Sequence, residues 1–353
     1  MERRTFLVAA FILTASVIMT LGVSSIPARA EELTVICYGG TFEEGWRKAV
    51  IERFEAKYPG DKIRIATGLT MQVAAKMRAQ KDNVEIDVVL MDQVGAAQCE
   101  AEGLYEPLTE EKVSNLKNLV PYFKGKSKGH PWVHFFWEGE ILAYNTEKVK
   151  PAPTSWQVLF DPKYSGKISY PDINTSHGVW MLNMAARMNG GNERNIGPGF
   201  EAIKKIRSGI HSFWTIHGQI QQLFAQGEVW VTSWCSDRVA PLMKEKVPID
   251  WTFPKEGAYL LSSTIGISKG TKKLDLAYRY VNFVLESQTQ ALLAKHNYIA
   301  PVVKDAPVDQ SLVKAHLIPA PGDLDKLIDL DWDVVNKERS NWTERWRREI
   351  VVK

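Results

Sequence analysis

Cysteine is scarce: Cys37, Cys99 and Cys235 are the three in 353 residues. That is too few, and too scattered, for a disulfide framework or a zinc site, although one pair could form and leave an odd thiol. An excess of one charge is also missing. Lys and Arg number 44 against 41 Asp and Glu, a net charge of +3. Arg3, Arg4 and Arg29, opposed by Glu2, supply most of it. The nearly neutral remainder gives no electrostatic case for nucleic acid or an anionic membrane as partner. There is no internal repeat and no low-complexity tract. With 45% hydrophobic and 24% charged residues, a disordered chain, a collagen-like repeat and a multi-pass membrane protein are excluded. At roughly 150 residues per domain, the length predicts about two domains with ample core.

The single long apolar run lies at the N-terminus. Arg3-Arg4 precedes a run from Phe6 to Val23, and Pro27-Ala28-Arg29-Ala30 supplies a small-residue cleavage pattern. Residues 1–30 therefore read as an export signal cut after Ala30, and the mature chain is expected in the periplasm. Arg3-Arg4-Thr5-Phe6-Leu7 is also compatible with a twin-arginine signal. An uncleaved anchor is the alternative, because the run is nearly long enough to span a bilayer.

Past the signal, strand and helix patterns alternate. Leu33–Cys37, Lys62–Ala66 and Ile86–Met91 read as strands, while Phe42–Tyr58, Met71–Gln80 and Val94–Glu102 have helical spacing. This order predicts a doubly wound α/β sheet whose ligands bind at the carboxyl ends of the strands. Two runs, Trp132–Phe136 and Ile141–Tyr144, flank Glu138-Gly139-Glu140, which reads as the first crossing into a second lobe. That lobe repeats the alternation, with helices at His177–Met188, Phe200–Ser208 and Gln219–Gln226 and strands at Val229–Thr232 and Ile249–Phe253. Thr264–Ser268 reads as a return strand, and Val334–Ile350 as a charged amphipathic helix. The fold class expected is a two-lobed α/β protein, each lobe doubly wound. One lobe takes residues 31–138 with 263–301, the other 141–260 with 302–353.

Catalytic patterns fail on context. Gly125-Lys126-Ser127-Lys128-Gly129 fits G-x-S-x-G but lacks the strand and helix that hold a nucleophile on a strained turn, and reads as a charged loop. Gly40 to Gly45 has phosphate-loop glycine spacing, yet Trp46 and Arg47 stand where Lys and Ser/Thr are needed. His130 and His134 lack a third ligand in view, so no metal is expected, and no cofactor.

Tyr144-Asn145-Thr146-Glu147-Lys148-Val149, followed by Pro153-Thr154-Ser155-Trp156 and Asp161-Pro162-Lys163-Tyr164-Ser165-Gly166-Lys167-Ile168, resembles the signature of bacterial extracellular solute-binding proteins of the spermidine/putrescine-binding type. Gly103–Leu108, Pro248–Asp250 and Phe253-Pro254-Lys255-Glu256-Gly257 extend the resemblance over nearly all of the mature chain. It implies a receptor of an ABC importer that binds one small organic solute in a cleft, closes and docks on an inner-membrane permease, acting as a monomer. It also implies that Trp156 and Tyr164 pack the second lobe and that Trp137 and Trp234 line the cleft. Polyamine binders carry a tryptophan and an aspartate after the Pro-Lys-Glu-Gly turn, where this chain has Leu261 and Ser263. The family's amine anchor is thus absent, and the expected solute widens to another amine, an amino-acid-like zwitterion or a carboxylate.

The residues themselves suggest anchors. Tyr38-Gly39-Gly40 ends the first strand and opens a helix, where free N–H groups suit an anion; a plain tight turn is the alternative. Glu140 could take an ammonium. Asp237 and Arg238 follow Trp234 at a helix start, with Arg238 suited to a bidentate grip on a carboxylate or, alternatively, to an ion pair with Asp237. The expected site is Tyr38, Gly39 and Gly40 facing Trp137, Glu140, Trp234, Asp237 and Arg238. A sensory ligand-binding protein and, on a related scaffold, a periplasmic enzyme are the competing functions.

Overall fold

The computed structural model describes residues 31–351; the export signal assigned to residues 1–30 lies outside them. No helix among the described residues is long and apolar enough to cross a membrane. Among the described residues, twelve strands run in chain order as β1 (Glu32–Cys37), β2 (Lys62–Thr67), β3 (Val88–Asp92), β4 (Trp132–His134), β5 (Glu138–Asn145), β6 (Ile168–Pro171), β7 (Ile210–Trp214), β8 (Val231–Cys235), β9 (Ile249–Thr252), β10 (Ala258–Leu261), β11 (Ser263–Ile267) and β12 (Leu327–Ile328). They form two sheets, β2-β1-β3-β11-β4 and β12-β10-β5-β8-β6-β7, with β9 pairing β5.

The apolar alternation in β1 explains the first sheet. Leu33, Val35 and Cys37 point into one core with Phe42, Trp46, Val50 and Phe54 of the following helical segment. Ile36 points into the other, with Val73, Ala74 and Met77 of the helix Thr70–Ala79. Both faces are therefore covered, as a doubly wound sheet requires. β1 runs parallel to β2 and β3, while β11 returns antiparallel against β3.

The second sheet is mixed. β6 pairs in parallel with β7 and β8, and β5 lies antiparallel to β8, β9 and β10. Trp156 and Tyr164 are buried in its core. The C-terminal helix Trp332–Trp346 buries Val335, Trp342 and Trp346, and the Trp346 indole N–H donates to Asp172 Oδ2 at 3.3 Å.

The chain passes between the sheets at 135–137, at Ser262 and after Lys304. Ser262 ties two of these passages together. Its hydroxyl donates to the Phe136 carbonyl at 2.6 Å and accepts from His134 Nδ1 at 2.7 Å. The third passage starts late, because the Val302 carbonyl still accepts from Val120 N–H and Lys304 N–H still donates to the Asn118 carbonyl.

Several sequence expectations need correction. Glu138-Gly139-Glu140 does not interrupt the chain but opens β5, where both carboxylates are buried and hydrogen-bonded. Residues 125–127 end the helix Pro121–Ser127 instead of lying in a loop. β7, β10 and β12 carry no clear alternation and were not anticipated. All three cysteines are buried free thiols, so no pair forms.

Candidate functional site

The carboxyl end of β3 is Asp92, which occupies the N-cap position of the helix Gln93–Ala101 yet makes no side-chain cap to it. Its carboxylate turns instead to the neighbouring strand ends. Oδ1 accepts from the Tyr38 hydroxyl at 2.7 Å, and the Ser263 hydroxyl lies 2.6 Å from the Tyr38 oxygen and 3.3 Å from Oδ1. Oδ2 accepts from the Ser176 hydroxyl at 3.3 Å. Tyr38, Asp92 and Ser263 belong to the first sheet, whereas Ser176 opens the helix Ser176–Met188 behind β6. Asp92 is thus a carboxylate at the meeting of the two lobes. Burial, reinforced by Asp92's charge, pushes the Tyr38 phenol well above its usual range, so it stays a donor.

A second contact crosses the same gap. Arg238 Nη1 donates to Thr41 Oγ1 at 3.0 Å. Thr41 begins the helix after Gly40, whose φ of 67° favours glycine. Arg238 Nε stands 3.3 Å from Asp237 Oδ2, the local pair that the sequence reading held as an alternative. Asp237 N–H and the Ser236 hydroxyl both donate to Glu138 Oε2 at 3.0 Å. Burial, then Asp237's charge, pushes the Glu138 carboxyl well above the usual carboxylate range.

Behind these residues, the carboxyl ends of β6, β7 and β8 gather His177, His217 and Cys235. The turn before His177 is tight: a Cβ at Gly178 would stand 2.0 Å from the Asp172 carbonyl oxygen. His177 Nδ1 bonds Glu140 Oε2 at 2.5 Å, and the Trp234 indole donates to His217 Nδ1 at 2.9 Å. His177, His217 and Cys235 have ligand atoms within 4.8 Å of one another, a spacing a metal could use. The proton positions oppose that use. An indole only donates, so His217 carries its own proton on Nε2. Burial and Arg238's charge push the His217 pKa well below normal, so the ring is neutral. Burial also pushes the Cys235 thiol up and keeps it protonated. Without a metal the set presents an N–H donor and hydrogen-bonding groups, and ligation would require the Cys235 and His217 protons to leave.

The structure places Tyr38, Gly39, Gly40, Asp237 and Arg238 near one another across the lobes, and it sets Trp137, Trp234 and Glu140 among buried partners. Trp137 is buried, exchanges backbone hydrogen bonds with Ala300 and donates its indole N–H to the Pro301 carbonyl at 3.1 Å. It lines a cavity of about 260 Å³ with Ala300, Pro301 and Ile318, beside the passage between lobes. Trp234 is fully buried and nearly parallel to Phe224, at 8°, so it supports His217 instead of forming a wall. Glu140 is also fully buried and lies behind His177, where an ammonium would first meet the histidine. Sequence reasoning missed Asp92, His177, His217 and Ser176. The available signal for Asp92 was an acidic residue directly after an apolar strand, at the start of a helix.

The family model for bacterial extracellular solute-binding proteins matches residues 49–320, and the chain belongs to that family. Among its curated relatives is the spermidine/putrescine-binding periplasmic protein 1 of Haemophilus influenzae, 26% identical over 61% of this chain and 61% of its own length. Another is a gamma-aminobutyric acid-binding protein of Pseudomonas aeruginosa, 23% identical over 78% of each chain. A crystal structure of an ABC transporter from Clostridium perfringens superimposes with a TM-score of 0.76, covering 90% of this chain and 99% of that one at 23% identity. That likeness confirms the two-lobed α/β fold.

Proposed function

We propose that the chain is the periplasmic solute-binding component of an ABC importer, which captures a small organic solute between its lobes and delivers it to a membrane permease. The lobes move about the passages at 135–137, at Ser262 and after Lys304. One observation carries this reading. The two side-chain links between the carboxyl ends of the sheets, Asp92 with Ser176 and Arg238 with Thr41, use groups that a solute can also satisfy. A solute touching both lobes binds the closed form best and shifts the population toward it. Two of the curated relatives, named for binding polyamines and gamma-aminobutyric acid, favour a nitrogen-containing solute, while another is named an iron uptake protein. Glu140 with His177, and Trp234 with His217, form two separate hydrogen-bonded pairs behind the gap between the lobes, a setting that suits fixed donors and acceptors for a bound solute.

A thermal-shift screen over amines, amino acids and carboxylates tests the proposal, followed by small-angle scattering with the best hit. A stabilising solute that compacts the protein supports it. A saturating solute that leaves the radius of gyration unchanged contradicts it.

A further inference from the structure

The C-terminal helix Trp332–Trp346 carries a charge where its pattern calls for an apolar side chain. Val335, Trp342 and Trp346 form its buried stripe, and position 339 falls on that stripe, four residues after Val335 and three before Trp342. The residue there is Arg339, half-buried. Its guanidinium makes no hydrogen bond and no ion pair among the described residues; its backbone carbonyl accepts from the Thr343 hydroxyl at 2.9 Å. A guanidinium has five N–H donors, and taking it out of water without a partner is costly.

Its surroundings say what the partner would be. The helix is anchored to the second lobe through Trp346 and Asp172, beside the turn that leads to Ser176. One turn before Arg339, Asn336 Oδ1 reaches Gln98 Nε2 of the first lobe at 3.5 Å. Arg339 therefore stands at the mouth between the lobes. Burial pushes its pKa down, and the charge felt there in opposition is that of Asp92. The geometry agrees: Asp92 heads the helix Gln93–Ala101, whose Gln98 meets Asn336, and Arg339 lies one turn further along the facing helix with its guanidinium unpaired among the described residues.

We propose that Asp92 and Arg339 are the two charged ends of the solute subsite, and hence that the solute carries an ammonium group and a carboxylate on one small skeleton. This rests on the receptor reading above and narrows it from small organic solutes to amino acids. Asp92 accepts from the ammonium while Tyr38, Ser263 and Ser176 hold its oxygens in place. Arg339 donates to the carboxylate in a fork for which a lysine is a poor substitute. A diamine would bring a second cation against Arg339, and a dicarboxylate a second anion against Asp92.

Calorimetry on the full chain with α- and ω-amino acids, and with diamines and dicarboxylates of matched length, tests this. Wild type is expected to bind an amino acid in preference to both other classes. Arg339→Gln is expected to weaken that amino acid by about thirtyfold or more, as for one partner of a buried charge pair, and to turn the preference toward the diamine. A purely structural role for Arg339 would not reverse selectivity. Arg339→Lys, which keeps the charge, should retain part of the affinity and covers the case in which the glutamine variant does not fold. Asp92→Asn should weaken amino acid and diamine alike. If wild type prefers a diamine or a dicarboxylate, or if neither Arg339 variant weakens the amino acid, the charge assignment is wrong and the receptor reading stands. If nothing in the panel binds wild type, both are overturned.

Discussion

The Arg238 guanidinium, carried by the second lobe, donates to the Thr41 hydroxyl of the first at 3.0 Å. On its own lobe Arg238 faces Asp237, which in turn adjoins the buried Glu138. One cation thus pairs with Asp237 beside the buried Glu138 carboxyl and also links the lobes. Arg238→Ala removes both functions. The unliganded protein is expected to open, seen as a larger radius of gyration in small-angle scattering, and to lose about 2–5 kcal/mol of solute binding. A variant that keeps both the wild-type radius and the wild-type affinity would show that Arg238 is a surface ion pair and nothing more.

Trp234 separates support from direct contact. Trp234→Phe keeps an aromatic ring against Phe224 and removes the N–H that fixes the His217 tautomer. A loss of about 1 kcal/mol in urea unfolding is expected for the missing hydrogen bond, with a modest fall in solute affinity as His217 becomes free to turn. Unchanged stability together with a large loss of affinity would mean that the indole touches the solute after all.

Trp137 provides the complementary case. Trp137→Phe deletes the bond to the Pro301 carbonyl next to the passage between lobes. It should cost about 1–2 kcal/mol of stability and leave equilibrium selectivity among solutes as in wild type. A changed rank order of solutes would return Trp137 to the cleft.

These two tryptophans show where the sequence was readable. The α/β class and the strands of the first sheet followed from apolar periodicity, because β1 and its helices alternate cleanly between two cores, whereas β7, β10 and β12 of the second sheet did not. Trp137 and Trp234 were assigned through family resemblance, which does not tell whether an indole lines a cleft or lies one layer beneath it. Glu138 and Glu140 were read as flanking a crossing, with Glu140 free to take an ammonium, since nothing local foretells that Ser236 and His177, from distant segments, satisfy them inside β5. Asp92 and Arg339 were overlooked for different reasons. Asp92 follows the rule for strand ends and could have been found. Arg339 lies in a helix so rich in charge that its place on the apolar stripe shows only once Val335, Trp342 and Trp346 are seen to be buried.

Acid should lower the stability of the fold through His134. The residue is fully buried, donates Nδ1–H to Ser262 and has an Nε2 without a partner. Burial, with smaller contributions from Lys126 and His130, pushes its pKa from 6.5 down to about 3. The unfolded chain therefore binds a proton that the folded chain refuses. Stability is fully present above the unfolded pKa and is lost as pH falls through it toward the folded one. Between pH 7 and pH 5 the loss from this group is about 2 kcal/mol. His134→Asn keeps a donor for Ser262 and cannot titrate, so its urea midpoint should fall less over that range. Parallel wild-type and variant pH profiles would refute this.

Native mass spectrometry tests the central claim most directly, after wild type and Asp92→Asn are each incubated with a small-molecule extract of cells and desalted. The wild-type chain is expected to retain one small solute per chain whose formula contains an amine nitrogen and a carboxylate, and the Asp92→Asn chain to retain none. A wild-type chain that emerges empty, or a variant that holds the same solute to the same extent, would contradict a solute site between the lobes at Asp92.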